Sequence, residues 1–191
     1  MKKDLGVKPY LFPMPVALIA TYDENNKVDV MNMAWGTLVD NNMVLCCLSE
    51  DHKTVKNLKL GKDFTISIAT KEHAPEADYF GIDSGNTVLD KFERSGLHAS
   101  KSKHVDAPII EEYPLTIECK LHALRHDEDD NFFAYGEIVN VLADESVLDT
   151  KGKVDVSKLH AILFSQIDST YYEIGKPVGK AWNIGLPYHK K

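Results

Sequence analysis

The sequence predicts a mainly β fold with short helices (α+β), organised as an antiparallel sheet. The first three predicted strands follow one another through hairpin turns, as antiparallel strands do, rather than through crossover helices. No Gly-x-Gly sequence occurs, and its absence argues against a Rossmann dinucleotide site. Leu115–Ala123 alternates strictly between apolar and polar residues, as a half-buried strand does, which directs Cys119 toward the core.

The N-terminal part of the chain predicts one buried strand. Three prolines within residues 9–15 impose an extended, non-helical backbone ahead of it. Val16–Thr21 is nearly all apolar, so we expect this strand to be buried on both faces. Residues 23–27 are polar and form the turn that sends the chain back alongside the strand.

The next stretch predicts two more strands and a helix. Met31–Asp40 and Met43–Leu48 are rich enough in apolar and β-branched residues to form strands. The Asn41-Asn42 pair between them tolerates the positive φ angles of a two-residue hairpin turn. Apolar residues then recur at roughly helical spacing from Val55 until Gly61, which supplies a C-terminal stop.

The remaining elements are shorter. They are a strand at Phe64–Ile68, short helices at His73–Tyr79 and Thr87–Glu93, irregular surface from Leu97 to Asp106, strands at Leu115–Ala123 and Phe132–Leu142, a strand or short helix at Leu159–Phe164, and a final strand at Ser169–Ile174. Gly136, within one of these strands, indicates a bulge or a close approach by another backbone.

Composition excludes several classes of function. With 191 residues, 43% of them hydrophobic, the chain fits a single domain spanning 1–191. Its net charge of −7 disfavours binding to nucleic acid or an anionic membrane, since Lys101 with Lys103 makes too small a basic patch and Lys190-Lys191 is only a tail. The N-terminus is interrupted by Asp4 and the prolines, so we expect neither a signal peptide nor a membrane span.

The cysteines and histidines predict no metal site. The three cysteines are odd in number and form no Cys-x-x-Cys motif, so we expect neither a disulfide scaffold nor a zinc site. Free cysteines of this kind favour a reducing cytoplasm as the location. The spacing of His122 and His126 would bring them together on a helix, but in the extended backbone of a strand it separates them by about 13 Å, too far to share an ion.

The segment Ser49–Thr54, SEDHKT, is a candidate anion site because it leads into the predicted helix. The first backbone N–H groups of a helix lack partners and carry partial positive charge, which favours a phosphate there. We expect Thr54 to cap the helix and to offer its hydroxyl to a phosphate oxygen. Ser49, His52 and Lys53 would add further donors. The alternative is that Thr54 only caps, while His52 and Lys53 are solvated.

Four motifs in order give a resemblance to a known family. They are Pro13-Met14-Pro15-Val16, Met31-Asn32-Met33-Ala34-Trp35, Ser49–Thr54, and Ser84-Gly85 followed by Asp90-Lys91-Phe92. Over most of its length the chain resembles the flavin reductase-like family, which includes the flavoredoxins. The resemblance implies an antiparallel FMN-binding split β-barrel, usually a homodimer.

The resemblance also implies which residues bind the cofactor. It assigns the isoalloxazine ring to Asn32, Met33, Ala34, Trp35 and Gly36, and the phosphate to Ser49, His52, Lys53 and Thr54. Lys91 would also reach the flavin, the alternative being a solvated helix face with Phe92 pointing inward. Asn32 stands where the family commonly has Thr or Ser, and His52 where it commonly has Arg. Because His52 is largely neutral at pH 7, phosphate binding would depend more on Lys53.

No catalytic side chain is expected, because no Ser-His-Asp order, carboxylate pair or nucleophilic cysteine stands out, and Cys46 and Cys47 point to opposite faces of a strand. The chemistry would belong to the FMN cofactor. Three functions remain open. They are an NAD(P)H-dependent flavin reductase using NADH or NADPH, a flavoredoxin-like electron carrier with a protein redox partner, and a non-catalytic binding module.

We also expect a homodimer, because the resembling family buries apolar surface at a twofold interface beside the flavin. Trp182, in the tail from Gly175 to Lys191, would then cover a hydrophobic surface of its own barrel or of a partner, or an edge of the flavin.

Overall fold

The computed structural model describes residues 1–189, so the predicted basic tail Lys190-Lys191 lies outside the described residues. The strands and helices are β1 (Met14–Pro15), β2 (Ala17–Tyr22), β3 (Val28–Met33), β4 (Gly36–Asp40), β5 (Met43–Ser49), α1 (Lys53–Lys59), β6 (Phe64–Ile68), α2 (Ala74–Ile82), α3 (Lys91–Arg94), β7 (Ala99–Lys101), β8 (Pro108–Ile110), β9 (Leu115–His126), β10 (Asn131–Ala143), α4 (Val156–Leu159), β11 (Ile162–Ser165) and β12 (Thr170–Glu173). Single 3₁₀ turns occur at Glu145–Val147 and Leu186–Tyr188.

The main sheet has seven strands in the order β3-β2-β6-β9-β10-β5-β4, and every neighbouring pair is antiparallel. Its two edge strands, β3 and β4, are consecutive in the chain and are joined only by Ala34 and Trp35. Three peptide units span at most about 11 Å, so the sheet must curl until its two edges nearly meet. We call this junction the seam. The predicted antiparallel, mainly β fold is confirmed.

The seam corrects one prediction, since the expected strand Met31–Asp40 is two strands on opposite edges of the sheet. Gly36 starts the second strand, and a Cβ there would lie 2.5 Å from the terminal methyl carbon of Met33. The Asn41-Asn42 turn does join β4 to β5, but neither asparagine adopts a positive φ. A register shift between Leu38 and Asp40 accommodates the turn instead.

The curled sheet encloses the larger core, and β2 separates it from a second core on the outer side. Ala17 and Ile19 contribute to the inner core, whereas Leu18 and Ala20 pack with α2 and the loops outside the sheet. Alternate residues of a strand point to opposite faces, which explains why β2 is apolar nearly throughout. The prediction that this strand is buried on both faces is confirmed.

Gly136 makes room for an inner core residue. A Cβ at this position would lie 2.3 Å from the ring of Phe64, and the β9–β10 register shifts between Tyr135 and Gly136. The predicted bulge is therefore confirmed, although the close approach is made by an aromatic side chain rather than by another backbone.

Three other predictions changed. The helix expected at Thr87–Glu93 is reduced to α3, because the backbone N–H groups of Thr87 and Val88 both bond to the carbonyl of Ser84 and form a turn first. The region from Leu97 to Asp106 contains β7, which pairs with β8. Leu159–Phe164 holds the end of α4 and then β11.

The C-terminal segment from Gly175 to His189 lies exposed, and Trp182 is 96% exposed. Trp182 therefore covers no surface of its own barrel, which overturns one of the three roles expected for it. The other two roles stay predictions.

None of the helices within residues 1–189 is both long and apolar enough to cross a membrane.

Candidate functional site

A cavity of about 350 Å³ opens at the seam. This volume is within the range of about 300–1,000 Å³ that is usual for small-molecule sites. Its walls come from β3, the seam, β5, the start of α1, the end of α2 and α3. The lining residues are Asp29, Met31, Asn32, Met33, Trp35, Cys47, Asp51, His52, Lys53, Thr54, Phe80, Gly81, Ile82, Asp83, Ser84, Gly85 and Lys91.

Most of the predicted cofactor-binding residues meet at this cavity. Those that line it are Asn32, Met33, Trp35, His52, Lys53, Thr54 and Lys91. Ala34, Gly36 and Ser49 do not line it. Ala34 and Gly36 shape the seam, and Ser49 ends β5 and bonds to His52 through its backbone. Three regions distant in sequence thus converge on one cavity.

The prediction that Thr54 caps α1 is wrong. The capping position belongs to His52, with φ −67° and ψ 135°, and Thr54 is the second residue of the helix. Its side chain is 1% exposed and its hydroxyl donates to Asp29 Oδ2 at 3.1 Å. Because that proton is already committed inside the protein, the Thr54 hydroxyl offers a ligand only its remaining acceptor capacity.

His52 is held as a neutral imidazole. Burial lowers its pKa below the ordinary value of 6.5, which adds to the neutrality at pH 7 that we expected from its residue type. The backbone N–H of Ser49 donates to His52 Nδ1 at 3.3 Å, so the ring proton resides on Nε2. His52 is thus a single N–H donor at neutral pH rather than a cation.

Lys53 is already engaged by two carboxylates. Its Nζ lies 2.9 Å from Glu24 Oε2 and 3.6 Å from Asp23 Oδ2. Burial lowers the pKa of Lys53, but the hydrogen bond and the charge of Glu24 outweigh this and raise it overall. A phosphate would have to compete with both carboxylates for this ammonium group.

Asp29, which sequence reasoning missed, is the buried centre of the polar wall. It is 6% exposed and accepts hydrogen bonds from the Thr54 hydroxyl and, at 3.4 Å, from Asn57 Nδ2. A Cβ on Gly85 would lie 2.3 Å from Asp29 Oδ1, so glycine permits this close approach. Burial raises the pKa of Asp29, while the charge of Lys91 opposes that rise.

Lys91 is buried rather than solvated. It is 5% exposed, and its Nζ donates to the carbonyl oxygens of Asp83 at 3.1 Å and Phe80 at 3.5 Å. Burial lowers the pKa of Lys91, and the charge of Asp29 opposes this. The alternative of a solvated helix face is therefore wrong for Lys91, which presents a cation held mainly by neutral carbonyl groups.

The loop after α2 is tied directly to the Ser49–Thr54 segment. Asn86 Nδ2 donates to the Asp51 carbonyl at 2.7 Å, and Lys56 Nζ donates to Asn86 Oδ1 at 2.7 Å. These bonds bring Ser84 and Gly85 to the cavity wall. The two motifs that the sequence separates by about thirty residues therefore form one side of the cavity.

Asn32 contributes a buried acceptor without a partner. Its Nδ2 donates to the Tyr171 hydroxyl at 3.2 Å, whereas its Oδ1 is buried and has no hydrogen-bond partner among the described residues. An unpaired buried polar atom costs about 1–3 kcal/mol. A ligand that brought a hydrogen-bond donor into the cavity would remove this cost.

Trp35 provides an accessible aromatic surface at the seam. Its side chain is 54% exposed, and its ring centroid lies 6.3 Å from that of Phe164. Its carbonyl accepts a hydrogen bond from the backbone N–H of Cys47, which anchors the seam to β5. An anchored and half-exposed aromatic ring is suited to packing against a planar ligand.

The cavity suits a planar, polar-edged and anionic group such as a flavin phosphate. Trp35, Met31 and Phe80 supply apolar surface, Lys91 and His52 supply donors, and Asn32 supplies the unpartnered acceptor. A single weak signal could have led sequence reasoning to Asp29, since it is the only carboxylate inside the otherwise uncharged strand VDVMNM. Nothing local distinguishes Gly81 or Asp83.

Comparison with known proteins identifies related sequences and folds. The sequence pattern of the flavin reductase like domain matches residues 10–165. Flavoredoxin of Desulfovibrio vulgaris (Miyazaki F) is 33% identical, with a TM-score of 0.91 over 97% of this chain and 100% of its own.

Two more distant structures share the fold. A split-barrel protein from Shewanella frigidimarina, assigned as a flavin reductase, is 21% identical with a TM-score of 0.74, over 89% of this chain and 86% of its own. An FMN-binding protein from Thermus thermophilus, solved with 1-cyclohex-2-enone, is 19% identical with a TM-score of 0.75, over 94% and 98%. The curled sheet with its seam is therefore a split barrel.

Proposed function

This chain belongs to the flavin reductase-like domain family, and from that premise we propose that it is an FMN-binding flavoprotein oxidoreductase that takes hydride from NADH or NADPH. The observation that carries the proposal is the convergence of Asn32, Met33 and Trp35 with His52 and Lys91 on one cavity. Bound FMN would supply the electron-accepting ring, and the protein would supply position and charge.

Each side chain has a defined task in this proposal. Lys91 would offset negative charge on the ligand, because its own neighbours are mostly carbonyl groups and its burial reduces screening by water. His52 would donate its Nε2 proton to an anionic oxygen, and Asn32 would accept from a ligand N–H or hydroxyl. Trp35 would cover the ring and exclude water from one side.

FMN is favoured over FAD because the cavity has a single cluster of phosphate donors, made of His52 and Lys53 at the start of α1, and the sequence has no glycine-rich turn for a second phosphate. Lys53 would bind the phosphate only by exchanging Glu24 or Asp23 for it. Heat-released cofactor should run as FMN in chromatography, and predominant FAD would overturn this assignment.

The activity is tested on the purified protein by its absorption spectrum before and after anaerobic addition of NADH or NADPH. Rapid bleaching of the flavin band by either nucleotide supports the reductase. Dithionite serves as the control, because it reduces accessible flavin without a nucleotide site. A flavin that dithionite bleaches but neither nucleotide bleaches would overturn the reductase assignment.

That last outcome would favour a second function, an electron carrier reduced by a protein partner. The 33% identity to a flavoredoxin supports this candidate. A colourless protein that does not take up FMN would favour the third possibility, a binding module for another phosphorylated molecule. We place the chain in a reducing cytoplasm, which suits the free thiols of Cys46, Cys47 and Cys119.

We further propose that the functional unit is a homodimer. Large apolar side chains are exposed on β4, where Leu38 is 63% exposed, and on the C-terminal segment around Trp182. Exposed apolar surface of this kind commonly marks an interface, and an obligate one buries about 2,000 Å² or more. Sedimentation at low micromolar concentration should give a dimer, and truncation after Gly175 would reveal whether the tail contributes. A monomer holding stoichiometric FMN would contradict the proposal.

A further inference from the structure

The contacts of Asn32 determine which end of its amide points toward the cavity. Tyr171 has one hydroxyl proton, which it donates to Asp78 Oδ1 at 2.8 Å. Toward Asn32 it can then only accept, and it does so from Nδ2 at 3.2 Å. The amide nitrogen therefore faces Tyr171, and Oδ1 is left buried and without a partner among residues 1–189.

We propose that Tyr171, held by Asp78, is a positioning residue that keeps Asn32 as a hydrogen-bond acceptor toward the bound ligand. The proposal rests on the proposed FMN function and deepens it. On FMN, the hydrogen-bond donors are the imide N3–H and the ribityl hydroxyls, while the other ring nitrogens and the carbonyl groups accept. The site thus recognises one of these donors through Asn32.

The surroundings keep this arrangement in place. Tyr171 pairs with Phe164 across β11 and β12, with ring centroids 5.8 Å apart. The end of α2 packs against Asn32 from another side, since a Cβ on Gly81 would be in van der Waals contact with Asn32 Cβ at 3.4 Å. Asp78 lies three residues earlier on the same helix and therefore on the same face.

Tyr171 also keeps its proton under ordinary conditions. Burial, reinforced by the hydrogen bond to Asp78, raises the pKa of Tyr171 to about 12. Without Asp78, the hydroxyl would be free to donate to Asn32 Oδ1, and the amide could turn its nitrogen toward the cavity. Asp78→Ala should therefore weaken donor recognition less than loss of the hydroxyl does.

The test compares Tyr171→Phe with Tyr172→Phe. Tyr172 is the matched control, because it lies next to Tyr171 on β12 and its hydroxyl bonds to Asp168 instead of Asn32. Dissociation constants for FMN, N3-methyl FMN and FMN analogues lacking one ribityl hydroxyl are measured by fluorescence. The wild type should prefer FMN over one of these analogues by about threefold or more. The analogue that is discriminated identifies the donor.

We expect Tyr171→Phe to lose most of this preference and to bind FMN about three- to tenfold more weakly. Tyr172→Phe should keep both the preference and the affinity for FMN. A merely structural defect would weaken FMN and its analogues equally and leave the preference unchanged, which would overturn the positioning role. If Tyr171→Phe does not fold, Asp78→Ala must show a reduced preference for FMN over the discriminated analogue. An undiminished preference in that variant would overturn the positioning role. A wild type that binds no FMN would instead overturn the proposed function.

Discussion

The two lysines that line the cavity differ in what holds their charge. Lys53 bonds to Glu24 at 2.9 Å and lies near Asp23, so carboxylates already neutralise it. Lys91 is buried and donates to two backbone carbonyl groups. A ligand anion must displace carboxylates to bind Lys53. No carboxylate is hydrogen-bonded to Lys91 among the described residues, so its charge is more available to a ligand. The partners of a side chain therefore indicate its availability better than its place in a motif does.

The largest effect should come from Asp29, whose charge acts on both lysines. Asp29→Ala removes the acceptor for Thr54 and Asn57 and takes from Lys91 the stronger of two opposing charges, so we expect a loss of about 3 kcal/mol in the free energy of unfolding. Asp29→Asn keeps an acceptor and should cost less. Urea unfolding measures both. Equal stability of Asp29→Ala and wild type would show that this network is not structural.

Lys91→Met should weaken FMN binding about ten- to hundredfold, as expected for loss of a charge-assisted hydrogen bond of about 1.5–3 kcal/mol. The methionine keeps the apolar stem beside Phe80 but leaves the buried Asp29 without the charge of Lys91, so we also expect a lower free energy of unfolding. Fluorescence titration with FMN and urea unfolding separate the two effects. An unchanged affinity would remove Lys91 from the site and reverse the comparison.

Lys53→Met should weaken FMN binding by no more than about tenfold, because the phosphate gains only what Lys53 offers beyond its present partners. Releasing Lys53 sharpens the comparison. Glu24→Gln removes the carboxylate at 2.9 Å and should raise FMN affinity about two- to threefold if Lys53 turns to the phosphate. The same Glu24→Gln change in a Lys53→Met background is the control and should have no effect.

The smallest effect concerns His52 and pH. Its pKa is lowered in the folded protein, so below the ordinary 6.5 the unfolded chain binds a proton that the folded chain resists. Stability should therefore fall as pH drops from about 6.5 through the lowered value, and His52→Gln should flatten that part of the curve. Unfolding free energies measured between pH 5 and 8 check this. Identical slopes for the two proteins would contradict the burial argument.

Local chemistry explains which parts of the fold could be predicted. Three predictions follow from patterns within short windows. They are the strand at Leu115–Ala123, which the structure extends to His126, the β2 strand buried on both faces, and the helix stop at Gly61. The resemblance predicted ten cofactor-binding residues, and seven of them line the cavity. Whether those residues touch a cofactor stays a prediction.

Local residue patterns located most of the long strands, since alternation depends on residues two to four positions apart, but they missed the short strand β7. The three-dimensional closure of the sheet determined where the predicted strand Met31–Asp40 breaks, because the two halves lie on opposite edges of the sheet. It also decided that Thr54 bonds to Asp29, 25 residues away, and that Asn32 bonds to Tyr171, 139 residues away. Hydrogen bonds act over about 3 Å and require a partner in space, and closure of the barrel determines those neighbours.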